Sequence, residues 1–582
     1  MTELFEPLDA YDPRLHLGAA SAGLLAEFNR AGFLTAGDVH LAERIGDLGR
    51  EDDELVRFAV ACAGAVLRRG SVGVHLEEIR AVAPDLPWPD ADEWRAAVGA
   101  SALVGAGVIR LDHELVYLDR YHRWETQVFD DLTSRVSSPG EEPAGLTEVL
   151  DRVFPAKGYD EQRAAVAAAA TRNTTVLTGG PGTGKTTTVA RLLAVLAALA
   201  DRPLSIALAA PTGKAAAQLQ ESVTQQSADL PAEDRARLAG LEAHTIHRLL
   251  GWRWDNQTRF RHDRGNRLGH DVVVVDETSM VDLMLMARLL EALRPETRLI
   301  LVGDRDQLTS VGAGAVLGDL VRGYDGRPDS PVVSLSQTHR FGNEIGRLAD
   351  ALRAGDADLV LEVLAAGGDH VAWVPREDAS DLLRSELGAQ ALAMVGAGEA
   401  GEETEALRLL DEHRLICAHR DGPAGVSYWN RAVERWLAAA AGQDHWPRWY
   451  PGRPLLVTGN DYGLGIYNGE TGVVYRAGDG SLRGVIGGPG GRPRLDLAVT
   501  RLEEAETMHA LTVHKSQGSQ ADRVSVLLPD EDSRLLTREL FYTAVTRARE
   551  FVRVIGSEAE VRAAVDRRAQ RATGLAGRIR GS

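Results

Sequence analysis

Three of the four lysines in this 582-residue sequence sit inside short polar motifs, while the chain carries 61 arginines. They are Lys185 in Gly179-Gly-Pro-Gly-Thr-Gly-Lys-Thr186, Lys214 in Ala210-Pro-Thr-Gly-Lys-Ala215, and Lys515 in Thr512-Val-His-Lys-Ser-Gln-Gly518. Where arginine serves as the generic cation, a retained lysine marks a place that needs a compact ammonium on a flexible stem. The first motif is a loop that can curl backbone N–H groups round a β-phosphate. Gly179, Gly180, Pro181, Gly182, Thr183 and Gly184 form it, Lys185 reaches the β/γ oxygens, Thr186 offers a hydroxyl to Mg²⁺, and Thr187 follows in the first helical turn. Such a loop needs acids at the end of a neighbouring strand. Val272-Val-Val-Val-Asp276-Glu277 supplies them: Asp276 for the Mg²⁺ shell, Glu277 to orient and deprotonate a water. An adjacent second acid favours hydrolysis over transfer to another substrate. Gln162, upstream at a helix start, either reads an adenine edge with its donor and acceptor or is a solvated helix start. Arg340 and Arg547 are candidate fingers for a γ-phosphate.

The elements that must position these residues follow from the hydrophobic pattern. Short apolar runs at 174–177, 205–209, 272–275 and 298–302 alternate with helical stretches, which predicts an α/β fold with a parallel sheet covered on both faces. The first 133 residues read mainly as helices, with two short strands over 108–118. Residues 134–145 read as a linker. A first α/β lobe is expected over 146–332 and a second over 333–421 and 506–582. A Gly- and Pro-rich β insertion, barrel-like, is expected over 422–505. The segment 252–262 alternates aromatic and basic residues, Trp252 and Trp254 among them. It reads as a β-hairpin that either meets nucleic acid by stacking and charge or packs its tryptophans on its own lobe.

Bulk composition narrows the classes. A net charge of −19 argues against a protein that coats nucleic acid non-specifically, since counterion release needs a basic surface. It leaves room for one local basic track on an acidic body. The two cysteines, Cys62 and Cys417, match no metal or redox spacing, and a reduced, cytoplasmic setting is expected. The apolar run at 189–200 is interrupted by Arg191 and is too short to span a bilayer. The acidic start Met-Thr-Glu-Leu-Phe-Glu has none of the basic and apolar regions of a signal peptide.

Taken in order, the motifs resemble those of superfamily 1 helicases of the 5′→3′ branch, and within it the RecD family. They are Gly179–Thr186 (I), Ala210–Ala216 (Ia), Thr245–Gly251 (Ib), Val275–Asp282 (II), Gly303–Val311 (III), Leu335–Phe341 (IV), Met508–Gly518 (V) and Glu539–Arg549 (VI). The resemblance implies two RecA-like lobes with ATP and Mg²⁺ between them and a small SH3-like barrel inserted in the second lobe. Gln307 would sense the γ-phosphate from one lobe, with Arg340 and Arg547 reaching it from the other. Pro211, Thr212, Lys214, Thr245, His247, Trp252, Trp254, Thr512, His514 and Lys515 would face single-stranded DNA, with 252–262 as a strand-separating pin. Where the family places a glutamate to contact the ribose, this chain has Gln520, a neutral acceptor. The resemblance also implies a motor that processes duplex DNA ends for recombinational repair in a heterotrimer with RecB-like and RecC-like subunits, the first 133 residues docking the partners.

The lysine count excludes a further chemistry. A PD-(D/E)xK nuclease core needs a lysine two residues after an acid. The residue two before Lys157, the lysine outside the motifs, is Pro155. Two other readings stay open on the sequence: a stand-alone helicase of the same family, and an idle scaffold that keeps the fold.

Overall fold

The computed structural model describes residues 17, 23–136, 142–155, 158–253, 255–336, 343–461, 463–487, 494–569 and 571–582. Six strands, Thr174–Gly179, Ile206–Ala210, Ala243–Thr245, Val272–Val275, Arg298–Gly303 and Val332–Leu335, form one sheet. Every pairing in it is parallel. Val272 to Val275 are all buried, as helices on both faces of a parallel sheet require. Arg298–Gly303 lies between the P-loop strand and the valine strand. The C-terminal ends of all three therefore lie side by side, the edge where open α/β sheets bind ligands.

The first lobe runs past the boundary expected at 332. Leu335 lies opposite Gly179 in the ladder and packs in the first lobe's core. Ser336 is then fixed to the same lobe, its N–H and hydroxyl both donating to Glu161 Oε1, at 2.8 and 2.6 Å.

The second lobe is built on Val371–Val374, His413–Cys417, Ala510–Thr512, Ala521–Leu527 and Ala548–Ile555, also all parallel. The insertion is shorter than the 422–505 expected. The helix Val426–Ala440 turns Trp429, Val433 and Leu437 into the second lobe's core with Leu415, Cys417 and Ala510. The inserted unit is a five-stranded antiparallel sheet of Pro454–Val457, Thr471–Arg476, Leu482–Ile486, Leu495–Ala498 and Ala505–Thr507. It closes on its own small core of Leu455, Val457, Ile466, Val474, Ile486 and Leu502.

The N-terminal region is helical around an aromatic cluster of Phe28, Phe33, Phe58, Trp88 and Trp94. The two strands expected over 108–118 form as Ile109–Asp112 and Leu115–Leu118, joined by Val74–His75. The helix Asp119–Thr133 leaves this unit and packs on the first lobe, where Gln127 Nε2 donates to Ala287 O at 2.8 Å. Arg135 is buried and donates to Thr297 O at 3.1 Å. The linker expected at 134–145 thus begins as part of the first lobe, because its guanidinium satisfies carbonyls there; residues 137–141 lie outside the described residues.

After the second lobe the chain returns to the first. Arg571 donates to the carbonyls of Gly312 at 2.9 Å and Gly314 at 3.1 Å, and also to that of Ser310. Leu575 and Ile579 of the helix Leu575–Gly581 enter the first lobe's core. Gly574 N–H donates to Glu125 Oε2 at 3.0 Å. The N-terminal region joins the same junction, Gly314 N–H donating to Gly70 O at 2.8 Å and Val72 N–H to Ala572 O at 2.9 Å. Among the described residues no helix is long and apolar enough to cross a membrane.

Candidate active site

The P-loop owes its shape to Gly182 and Gly184, at φ 78° and 82°, a region that costs an L-residue about 1–2 kcal/mol. Gly179 is needed for room, since a Cβ there would lie 2.7 Å from Thr183 Oγ1 and 2.8 Å from Leu335 O. Thr183 is fully buried and its hydroxyl donates to Gly180 O at 2.9 Å; Pro181 is buried beside it. Lys185 opens the helix Lys185–Leu199, and its Nζ donates to Gly179 O at 2.6 Å and Gly180 O at 2.9 Å. The ammonium thus sits on the loop that its helix N-terminus faces. Thr186 and Thr187 follow, half-buried.

Gln162 supports this loop from beneath. It is 1% exposed and its Nε2 donates to Thr183 O at 3.1 Å. One of the two amide donors is thus engaged by the loop's backbone, and the solvated helix start is set aside by the burial.

Asp276 and Glu277 follow the valine strand. Asp276 N–H donates to Ala209 O at 2.9 Å, and Asp276 Oδ1 accepts from Glu277 N–H at 2.8 Å. Glu277 takes φ 50°, a left-handed conformation for which a non-glycine residue needs support from its surroundings. Burial, then the neighbouring Glu277 carboxylate, push Asp276 up to about 7, while Lys185 pulls the other way. A loop of glycines, an ammonium, a threonine hydroxyl and this acid form a donor set that fits a nucleotide triphosphate with a divalent cation.

The second lobe closes over this edge. Tyr542 Oη donates to Asp304 Oδ2 at 3.0 Å, and Gln307 Nε2 donates to the same oxygen at 3.0 Å. Leu308 N–H donates to Thr543 Oγ1 at 2.8 Å, and Leu308 O accepts from Gln517 Nε2 at 2.9 Å. Gln307 is thus held in the interface itself. Arg547 is buried, and its Nε donates to Thr543 O at 3.0 Å. Burial lowers it, against the attraction of Glu277 and then Asp304 across the cleft. Arg340 and Trp254 lie outside the described residues, as does Lys157. Gln520 is half-buried, immediately before the strand Ala521–Leu527.

Thr212, Lys214, Thr245, His247, Thr512, His514 and Lys515, expected on DNA, lie at or just past the ends of parallel strands from both lobes. Thr212, Thr245 and Thr512 each cap the helix that follows, their hydroxyls accepting from the N–H of Ala215, Arg248 and Lys515. Each helix start leaves N–H groups to satisfy, and a hydroxyl that accepts from one keeps its own O–H to donate. Pro211 and Lys214 are half-buried. Burial, then Arg414, push Lys214 down to about 7 against Asp411 and Glu470, with Arg547 adding to the fall. Lys515 Nζ donates to Asn468 Oδ1 of the inserted sheet at 2.9 Å. The ring of Tyr467 takes the space a Cβ on Gly213 would need, at 2.8 Å. Burial lowers His247, opposed by Asp282, and lowers His514, reinforced by Arg571. The hairpin expected at 252–262 forms from Trp252–Arg253 and Asn256–Phe260, with Trp252 43% exposed and Phe260 against His247 at 5.6 Å.

The profile of the AAA domain family matches residues 162–313, and that of the UvrD-like helicase C-terminal domain matches residues 507–555. The RecBCD enzyme subunit RecD of Mycolicibacterium smegmatis is 58% identical, over 94% of this chain and 98% of its own length. The chain belongs to the RecD family. The ATP-dependent RecD2 DNA helicase of Deinococcus radiodurans is 30% identical, over 82% of this chain and 60% of its own length. Among solved structures, Pif1 helicase from Candida albicans covers 69% of this chain and 95% of its own, at 14% identity and a TM-score of 0.39.

Several residues that this RecD family member brings to the cleft were not singled out by sequence. Asp304 and Tyr542 lie within the motif stretches, and their pairing across 238 positions leaves no local signal. Asn468 and Tyr467 lie in a glycine-rich turn that reads as an ordinary loop. Arg571 is one arginine among many.

Proposed function

We propose that this chain is an ATP-dependent 5′→3′ DNA helicase, the motor subunit of a RecBCD-type exonuclease V complex. One observation carries the reading: Tyr542 of the second lobe donates to Asp304 at the P-loop edge of the first, and the buried Arg547, five residues on, lies in the field of Glu277 and Asp304. On the adjoining face, strand ends from both lobes present Thr212, Lys214, Thr512 and Lys515. A cleft that closes on nucleotide therefore moves two groups of nucleic-acid contacts relative to each other, which is the cycle of a translocase.

In this reading the two parallel sheets are RecA-like lobes and the inserted sheet is an SH3-like barrel. Thr186 and Asp276 hold Mg²⁺, which when bound lends positive charge to the phosphate oxygens. Lys185 holds the β/γ oxygens. Glu277 orients the attacking water and takes its proton, Gln307 senses the γ-phosphate, and Arg340 and Arg547 neutralise its charge. Lys214, His247, His514 and Lys515 line the track of single-stranded DNA, and Trp252 stands at the hairpin where the strands part. Residues 1–133 dock RecB-like and RecC-like subunits, in the cytoplasm, and any cutting of DNA falls to a partner. Support for the subunit reading is the high identity with RecBCD subunits over almost the whole chain.

The test is strand separation on duplexes with a 5′ or a 3′ single-stranded tail, with and without the partner subunits. Unwinding is expected from the 5′ tail, and unwinding only from the 3′ tail overturns the polarity. Lys185→Gln is expected to lower ATP turnover at least ~10²-fold with the melting temperature kept; ATP turnover left intact sinks the site.

A further inference from the structure

The P-loop is touched from the opposite lobe by a cation that no motif contains. Arg353 stands in the last turn of the helix Asn343–Ala354. A Cβ built on Gly180 would lie 3.3 Å from Arg353 Nη1 and 3.7 Å from its Cζ, with Tyr542 Oη at 3.1 Å. The guanidinium therefore occupies the space beside the second residue of the loop where a side chain would stand. Lys185 Nζ reaches the carbonyl of that same glycine at 2.9 Å. Two cations, one per lobe, converge on Gly180.

Nothing in the P-loop itself calls for the second one. Residues 179–187 contain no carboxylate. Arg353 pairs with Asp350 on its own helix, a carboxylate 61% exposed, while its own side chain is 25% exposed. An arginine whose task is to finish its helix needs Asp350 and the carbonyls of the last turn; it does not need to cross the cleft. Beyond Asp350, it lies in the field of Asp304, which Tyr542 and Gln307 both grip, and of Asp306. The guanidinium thus lies in the interlobe seam, in a planar, multi-donor form suited to phosphate oxygens.

We propose that Arg353 is a catalytic residue: it donates to γ-phosphate oxygens when the lobes close on ATP, as a cation additional to Arg547. The proposal rests on the ATPase reading above. Water attacks the γ-phosphorus as its proton passes to Glu277, and the bond from that phosphorus to the β–γ bridging oxygen breaks. The electron pair stays on that oxygen of the departing ADP. Arg353 neutralises the charge spread over the equatorial oxygens during that transfer, and exchanges its contact with Asp350 for them as the cleft narrows.

Arg353→Ala and Arg353→Lys are compared with Asp350→Asn, which removes the helix partner and leaves the guanidinium. One readout is DNA-stimulated kcat and KM for ATP. The other is equilibrium affinity for fluorescently labelled ADP, alone and with aluminium fluoride as the transition-state mimic. Arg353→Ala is expected to lower kcat by about 10²-fold and to weaken the aluminium fluoride complex by a similar factor, with ADP affinity within about twofold and an unchanged melting temperature. Arg353→Lys is expected to recover part of both losses, since a point charge replaces the fork. Asp350→Asn is expected to leave kcat within about twofold. The proposal is overturned if Arg353→Ala keeps kcat and the aluminium fluoride affinity, or if Asp350→Asn reproduces its losses. Intact turnover in Lys185→Gln instead removes the ATPase reading beneath it.

Discussion

Lys515 of the second lobe donates its ammonium to the Asn468 side chain of the inserted sheet across 2.9 Å. The cation proposed to meet DNA is thus held by a turn from another unit. A phosphate competes with Asn468 for the same ammonium. Lys515→Ala is expected to flatten the dependence of log affinity for single-stranded DNA on log salt by about 0.7, the share of one phosphate contact. Asn468→Ala is expected to leave that slope intact. Titration of a labelled oligonucleotide across a salt series decides it, and equal slopes for wild type and Lys515→Ala would remove Lys515 from the track.

The Gln162 amide holds the P-loop through the Thr183 carbonyl. Gln162→Ala leaves that buried carbonyl without this donor, at a cost of about 1–3 kcal/mol. Because the loop itself slackens, KM for ATP is expected to rise several-fold with kcat less affected. Urea unfolding and steady-state kinetics measure the two. A normal KM in a destabilised variant would confine Gln162 to the fold.

Lys214, ordinarily near 10.5, is pushed down to about 7. Below about pH 7 it is charged with or without DNA. Above that value it is neutral in the free protein, and an arriving phosphate restores its charge. Binding at about pH 8 is therefore expected to take up a proton, and affinity to fall as pH rises from about 7. Calorimetry in buffers of different ionisation enthalpy reads the uptake, and Lys214→Met should abolish it. Wild-type binding with no proton uptake would show that DNA leaves the charge of Lys214 unchanged.

Arg571 satisfies the carbonyls of Ser310, Gly312 and Gly314, in the loop that follows Gln307. Burial holds it down to about 10. Arg571→Ala is expected to destabilise the chain by about 2–4 kcal/mol, from lost charged hydrogen bonds and carbonyls left unmatched. It should also lower the DNA stimulation of ATP turnover, because that loop contacts the second lobe through Leu308. Denaturant midpoints and ATPase rates with and without oligonucleotide test both; unaltered stimulation would make the tail a structural brace alone.

Local chemistry was legible in the sequence wherever it is local in space. The P-loop announces itself because glycines, Lys185 and Thr186 must be contiguous to wrap a phosphate. The strand before Asp276 is four valines because helices cover both its faces. The hairpin at Trp252 follows from alternation. What the sequence withheld depends on encounters between distant segments. Thr212 and Thr512 read as DNA contacts, and the capping they also perform, a backbone need of any helix start, is settled by where the helices begin. The helix Val426–Ala440 looked like part of the insertion because glycines and prolines surround it, and only its buried Trp429 and Val433 assign it to the second lobe. Arg353 and Asn468 carry no motif, since what each one meets lies across a gap.

The return of the chain at Arg571 constrains how the lobes move. The polypeptide leaves the first lobe after Ser336, pinned to Glu161, and comes back at Arg571, pinned to the loop around Gly314. Both covalent crossings between the lobes are thereby tied into the first lobe's framework, one at Glu161 and one at the loop that follows Gln307.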